Sequence, residues 1–147
     1  MSASARQRSR MARAAWAEDL VAAWYVRNGY VIVARNWRCP RGELDIVALR
    51  DGVLAICEVK ARRNANFGDP FEAITPQKML RVRRATATLV GQLRAQIADT
   101  TRPVDDVKTR TKNSALGGER LRSVRLVVRF DAAAVLGTQV EVREGMF

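Results

Sequence analysis

Two apolar runs, GELDIVALR and VLAICEVKAR, are joined by Asp51-Gly52. Asp-Gly between such runs is among the strongest signals for a two-residue β-hairpin. A turn that short also sets the register. Arg50 opposes Val53, Leu49 opposes Leu54 and Val47 opposes Ile56; continued outward, Asp45 opposes Glu58 and Glu43 opposes Lys60. Alternation then puts Glu43, Asp45, Glu58 and Lys60 on one face, and Leu44, Ile46, Cys57 and Val59 on the other. Facing carboxylates repel, and a buried charge is costly unless it is paired or bound to an ion. The hairpin therefore needs positive charge beside Asp45 and Glu58. Lys60 is one source and a divalent cation is another. Cross-strand Cβ separations of about 4.5–5.5 Å let two carboxylates reach one ion. With only oxygen donors on offer, that ion is expected to be Mg²⁺ or Mn²⁺ rather than zinc. The same residues also read as a solvated sheet face closed by a Glu43–Lys60 ion pair.

The rest of the chain supplies partners for this hairpin. Residues 1–10 are small, polar and basic and read as a flexible arm. A helix is expected from about Ser9 to Asn28, with Met11, Trp16, Leu20, Ala23 and Trp24 as its apolar stripe and Gly29 as its stop. YVIVARNW (30–37) reads as a strand and CPRG (39–42) as a turn. The segment 62–73 is a loop rich in Asn, Gly and Pro. Thr75 caps a second helix that has Pro76 in its first position and runs to about Ala98. Its core face is Met79, Val82, Thr86, Leu89, Val90, Leu93 and Ile97. Residues 99–120 lack periodicity and read as a mobile connection. Strands follow at 121–132 and 138–144. The order α-β-β-β-α-β-β predicts an α/β domain, residues 11–147, with a mixed central sheet flanked by helices.

Composition narrows the chemistry. The 147 residues contain no histidine, which removes histidine triads, histidine general bases and histidine–zinc hydrolases. Two cysteines are too few for a disulfide framework and suit a reducing cytoplasm. No apolar run is long enough to span a membrane, and no apolar signal core follows the basic start. The net charge of +11 favours a polyanionic partner. Nucleic acid is expected ahead of an anionic membrane or an acidic protein.

Asp45, twelve intervening residues, then Glu58-Val59-Lys60 has the spacing of restriction-endonuclease-like nucleases. Taken with NGYVIVARNWRCPRGELDIVA, ICEVKAR, FGDPFEAITPQK and VRFD, it resembles the YraN family of small bacterial proteins. The resemblance covers roughly residues 10–132 and implies a restriction-endonuclease-like fold. It also implies an acid on the first helix, here Glu18, and matches the family's motifs at Gly42–Asp45, Glu58–Lys60 and Thr75–Lys78. The chain departs from the family before Glu18, where Ala17 stands in place of the usual glycine, and at its end, EVREGMF.

The expected activity is divalent-metal-dependent phosphodiester hydrolysis in nucleic acid, DNA ahead of RNA. Asp45 and Glu58 would bind Mg²⁺ or Mn²⁺, with the Val59 carbonyl as a further ligand. Lys60 would orient or help deprotonate the attacking water. Glu18 would complete the site through water or a second ion. Arg35, Arg38, Arg41, Arg62 and Arg63, clustered without matching acids, are expected to form a phosphate-tracking rim. Gln77 and Lys78, at a helix N-terminus, are placed for phosphate. Analogy with nucleases of this architecture suggests a homodimer. Two other readings stay open: a non-catalytic nucleic-acid-binding module on the same fold, and an adaptor for an acidic protein.

Overall fold

The Asp51-Gly52 turn forms as its residues require. Both adopt positive φ, 50° and 76°, so the two-residue loop follows the twist of the strands it joins. It joins β2 (Gly42–Arg50) to β3 (Val53–Arg62), and Arg50↔Val53, Leu49↔Leu54 and Val47↔Ile56 pair as expected. The computed structural model describes residues 2–66, 68–100 and 125–147. Its other elements are α1 (Ala3–Arg27), β1 (Val31–Cys39), a 3-10 turn (Pro70–Ala73), α2 (Pro76–Thr100), β4 (Val127–Leu136) and β5 (Gln139–Arg143).

The strands form one sheet in the order β1-β2-β3-β4-β5. β3 and β4 run parallel, and the other neighbours are antiparallel. The sheet is mixed because α2 comes between β3 and β4 in the chain, and parallel neighbours need a long crossover. Each helix covers one face. Ala17, Val21, Ala22 and Tyr25 of α1 pack on Ile46, Ala48, Ala55, Cys57, Ala133 and Val135. Val82, Ala85 and Leu89 of α2 pack on Leu44, Val47, Leu54 and Ile56. No described helix is long and apolar enough to cross a membrane.

Several expectations shift. The segment expected as a flexible arm is helical from Ala3, because Ser2 caps it and Ala, Arg, Gln and Met all favour helix. The stripe of α1 turns away from Met11 and Trp16, which are exposed, toward Ala17 and Tyr25. Small and aromatic residues sit closest to the sheet there, while the N-terminal turns outrun it. In α2, Ile97 is exposed for the same reason. β4 continues past the expected end at 132 to Leu136, because Ala132, Ala133 and Ala134 are buried between the layers. The connection expected at 99–120 and the first residues of the strand expected at 121–132 lie outside the described residues.

One irregularity shapes the site. Leu44 and Val47 are three residues apart in β2, yet both pack toward α2. Opposite them in β1, Ala34 and Trp37 do the same. Strict alternation would send such residues to opposite faces, so both strands break step together. Asn36, with φ of 47°, lies within that break in β1, and Asp45 lies within it in β2. Leu44 therefore leaves the α1 face expected for it and joins Val47 on the other.

Candidate metal and nucleic-acid site

The β2–β3 pairing runs as far as Ile46↔Cys57. Beyond it, a side chain takes over from the ladder: the Val59 N–H donates to Asp45 Oδ2 at 2.8 Å. This holds Asp45 beside Glu58. The pKa of the Asp45 carboxyl is raised to about 7, first by burial and then by the negative charge of Glu58, against the opposing Val59 hydrogen bond. Glu18 adds to the same repulsion.

Glu58 is 4% exposed and is held by two lysines. Lys60 Nζ lies 3.2 Å from its Oε1, and Lys78 Nζ lies 2.9 Å from the same oxygen. Lys60 comes from β3, two residues further on. Lys78 comes from the first turn of α2, where Thr75 Oγ1 accepts its N–H as the expected cap. Burial works against the charge on Lys78, but the Glu58 carboxylate outweighs it and Asp45 and Glu43 add to it, so its pKa is raised. Close packing of α2 on β2 brings Lys78 in. A Cβ on Gly42 would lie 3.1 Å from the Arg81 carbonyl oxygen, so only glycine leaves room for the helix at that distance.

Glu18 sits on α1 and accepts a hydrogen bond from Asn36 Nδ2 at 2.8 Å. A left-handed backbone at Asn36 is thus tied to the orientation of an acidic side chain. Asn is among the few non-glycine residues that accept this conformation. An asparagine inside a strand, where that residue type is depleted, was the available signal for this role.

Two expectations about the charged residues are corrected. Glu43 does not oppose Lys60; it pairs across β1–β2 with Arg38, at 3.3 Å. Glu43 lines a hollow with Arg38, Lys78 and Arg81. Two residues of the expected arginine rim do have matching acids, since Arg35 lies 2.6 Å from Asp19 and Arg38 lies on Glu43. Both pairs are exposed, so they add little stability and open readily. Arg62 bonds to the Gly68 carbonyl at 3.1 Å. Arg41 lines a surface hollow of about 740 Å³ with Arg81 and Arg84. Arg63 and Gln77 are exposed. Lys78, though its side chain is 40% exposed, sits against Glu58, so it belongs with the acids.

The donors suit a hard cation. Asp45 and Glu58 are two adjacent carboxyl groups, and Asp45 is pushed toward its neutral form by burial and then by Glu58. A divalent ion would relieve that repulsion. Among the described residues no group of three or more His, Cys, Asp and Glu side chains is arranged to hold a metal. Two carboxylates supplemented by backbone oxygen, water and phosphate is a usual Mg²⁺ set.

Residues 17–135 match the pattern of the uncharacterised protein family UPF0102, the YraN-like proteins. The chain belongs to this family. A UPF0102 protein of Acidothermus cellulolyticus is 44% identical over 102 residues, covering 69% of this chain and 75% of the relative. One from Beutenbergia cavernae is 41% identical over 118 residues, covering 80% and 98%. One from Renibacterium salmoninarum is 53% identical over 66 residues, covering 45% and 56%. The UPF0102 match spans both strands of the acidic hairpin, Glu18 and the start of α2, so every residue of the cluster lies inside it. The family name assigns no activity.

Proposed function

We propose that this UPF0102 protein is a nuclease that hydrolyses phosphodiester bonds in nucleic acid, DNA ahead of RNA, with Mg²⁺ or Mn²⁺ as its cofactor. The observation that carries this reading is the meeting of Asp45, Glu58, Lys60 and Lys78 where β2 and β3 part. The mixed sheet and its element order agree with a restriction-endonuclease-like fold. Asp45, Glu58 and the Val59 carbonyl would hold the cation. When bound, the cation supplies charge to offset the phosphoryl oxygens and lowers the pKa of water.

The chain's own residues would do the rest. Hydrolysis forms one P–O bond from water and breaks another, and the leaving oxygen takes up a proton. Lys60 would orient the attacking water, since its amine lies within reach of the acids and at the edge of solvent. Lys78, released from Glu58, would offer its charge to a phosphoryl oxygen. Glu18, fixed by Asn36, would add an acceptor on the α1 side. Arg41, Arg63 and Gln77 would track phosphate further out. Two free cysteines, Cys39 and Cys57, suit a reducing cytoplasm.

Purified protein given Mg²⁺ or Mn²⁺ should cleave DNA, and Asp45→Ala and Lys60→Ala should each abolish cleavage. Cleavage that survives both substitutions excludes this site. One observation favours a second reading, a non-catalytic nucleic-acid-binding module. Lys60 and Lys78 already supply two positive charges to Glu58 without any cation. That reading predicts salt-sensitive DNA binding with no calorimetric signal for Mg²⁺ or Mn²⁺.

A further inference from the structure

The first turns of α1 are not part of the core. The first buried residue of the helix is Ala17, so residues 3–16 project past the sheet. Arg6, Arg10 and Arg13 recur at spacings of four and three and share one helix face. That face lines a hollow of about 900 Å³ whose far side includes Ala61 of β3. A second hollow, of about 550 Å³, is lined by Arg13, Trp16, Ala61 and Arg63 among others. Arg13 and Ala61 belong to both, so the two form one trough. Among the described residues, no acid lines it.

This arrangement costs the isolated helix. Like charges at i, i+4 repel, and the first turn of α1 carries no acid to complement its positive end. A polyanion in the trough removes both costs. Trp16 is 45% exposed and Met11 66% exposed, in a place where phosphate recognition alone needs no apolar surface. An exposed indole among arginines suits a nucleobase whose face is free for stacking. Duplex hides those faces; an unpaired strand presents them. Ala61 follows Lys60 in β3, and alternation turns it to the α1 face while Lys60 shares the other face with Glu58, so the trough lies across the sheet from the two lysines.

We infer that the trough between the N-terminal turns of α1 and the end of β3 binds an unpaired nucleic-acid strand. Arg6, Arg10, Arg13 and Arg63 hold its phosphates and Trp16 stacks on a base. This rests on the nuclease reading only for what the strand belongs to: a substrate that carries a single-stranded arm, held on the α1 face.

The test uses fluorescein-labelled oligo-dT of about a dozen nucleotides, and a duplex of equal length, in EDTA so that nothing is cleaved. Wild-type protein should bind the single strand more tightly than the duplex, with quenching of tryptophan fluorescence. Trp16→Leu should lose the quenching and bind the single strand about tenfold more weakly, with duplex affinity unchanged. Arg10→Glu with Arg13→Glu should weaken binding and flatten its salt dependence by roughly 0.7 for each phosphate no longer neutralised. Arg63→Glu, at the end of a strand, repeats the test without touching α1. Wild-type affinity in all three variants overturns the inference, as does polyglutamate competing as well as oligo-dT. These outcomes are independent of catalysis. If wild-type protein fails to cleave while the binding differences hold, the nuclease reading falls and the trough stands. If cleavage persists while the variants bind normally, the reverse follows.

Discussion

Asp45 shows how one residue can carry structural and chemical duties together. Its carboxylate replaces a ladder partner for Val59 and faces Glu58 in a poorly solvated place. Burial and Glu58 raise its pKa from 3.8 to about 7. The metal-free folded state therefore binds a proton, between about pH 4 and pH 7, that the unfolded state does not. By linkage, stability falls as pH rises through that window. Asn at this position keeps an oxygen for the Val59 N–H and can donate to Glu58. In EDTA, Asp45→Asn should be more stable than wild type at pH 8, on the order of a few kcal/mol. The advantage should vanish near pH 4. Urea unfolding at the two pH values measures it, and an equal difference at both would contradict the assignment. Lys78 makes a complementary point. A first-turn lysine at a helix N-terminus looks like a solvated phosphate contact in sequence, yet here it reaches the least exposed acid of the cluster.

At the scale of elements, the hairpin was legible because Asp51-Gly52 is a local signal that dictates a local geometry. The expected pairs nearest the turn occur as read. The break in step at Asn36 and Asp45 was not legible from the same rule. It depends on a neighbouring strand adopting a left-handed backbone at one residue, which is tertiary information. The break explains why Leu44 changed face while Asp45 stayed beside Glu58. It also makes Asn36 testable. Asn36→Val puts a β-branched residue at positive φ and should cost about 1–2 kcal/mol, whereas Asn36→Gly relieves that strain. Both remove the hydrogen bond to Glu18. Thermal unfolding should separate the two variants, and cleavage should fall in both. Equal cleavage to wild type in both would show that Glu18 needs no positioning. The α1 overhang was missed for a different reason. Its Arg-rich composition resembles a disordered arm, and helix propensity weighs little in such a reading until a cap and a long following helix are seen.

Over the whole molecule, one buried network ties the layers together at Asp131, which pairs with Cys57 across β3–β4 on the α1 face of the sheet. Asp131 is fully buried and accepts from Tyr25 Oη at 2.7 Å, from Arg129 Nε and Nη2 at 2.8 Å each, and from the Gly145 N–H at 3.0 Å. It thereby joins α1, β4 and the C-terminal tail. Arg129 also bonds to Tyr30 at 3.0 Å and pairs with Glu144 at 3.2 Å. Removing one member of such a set leaves the others buried and unpaired. Asp131→Ala should lose about 3–5 kcal/mol of stability. Below its lowered melting temperature it should still bind nucleic acid, which separates this network from the site. Denaturant unfolding with oligonucleotide binding on the same samples tests it; a loss under about 1 kcal/mol would refute the structural role. Among the described residues, arginines stand on both sides of the site. The α1 trough lies on one side, and Arg41, Arg81 and Arg84 lie on the other. A polyanion longer than the site can therefore be held at both ends.

The central claim is that Asp45 and Glu58 share a hard cation. Anomalous diffraction from crystals grown with Mn²⁺ addresses it most directly. The account predicts a single strong peak within coordinating distance of both carboxylates, with Lys78 drawn off Glu58. No peak there, with Lys60 and Lys78 still bonded to Glu58, would contradict it.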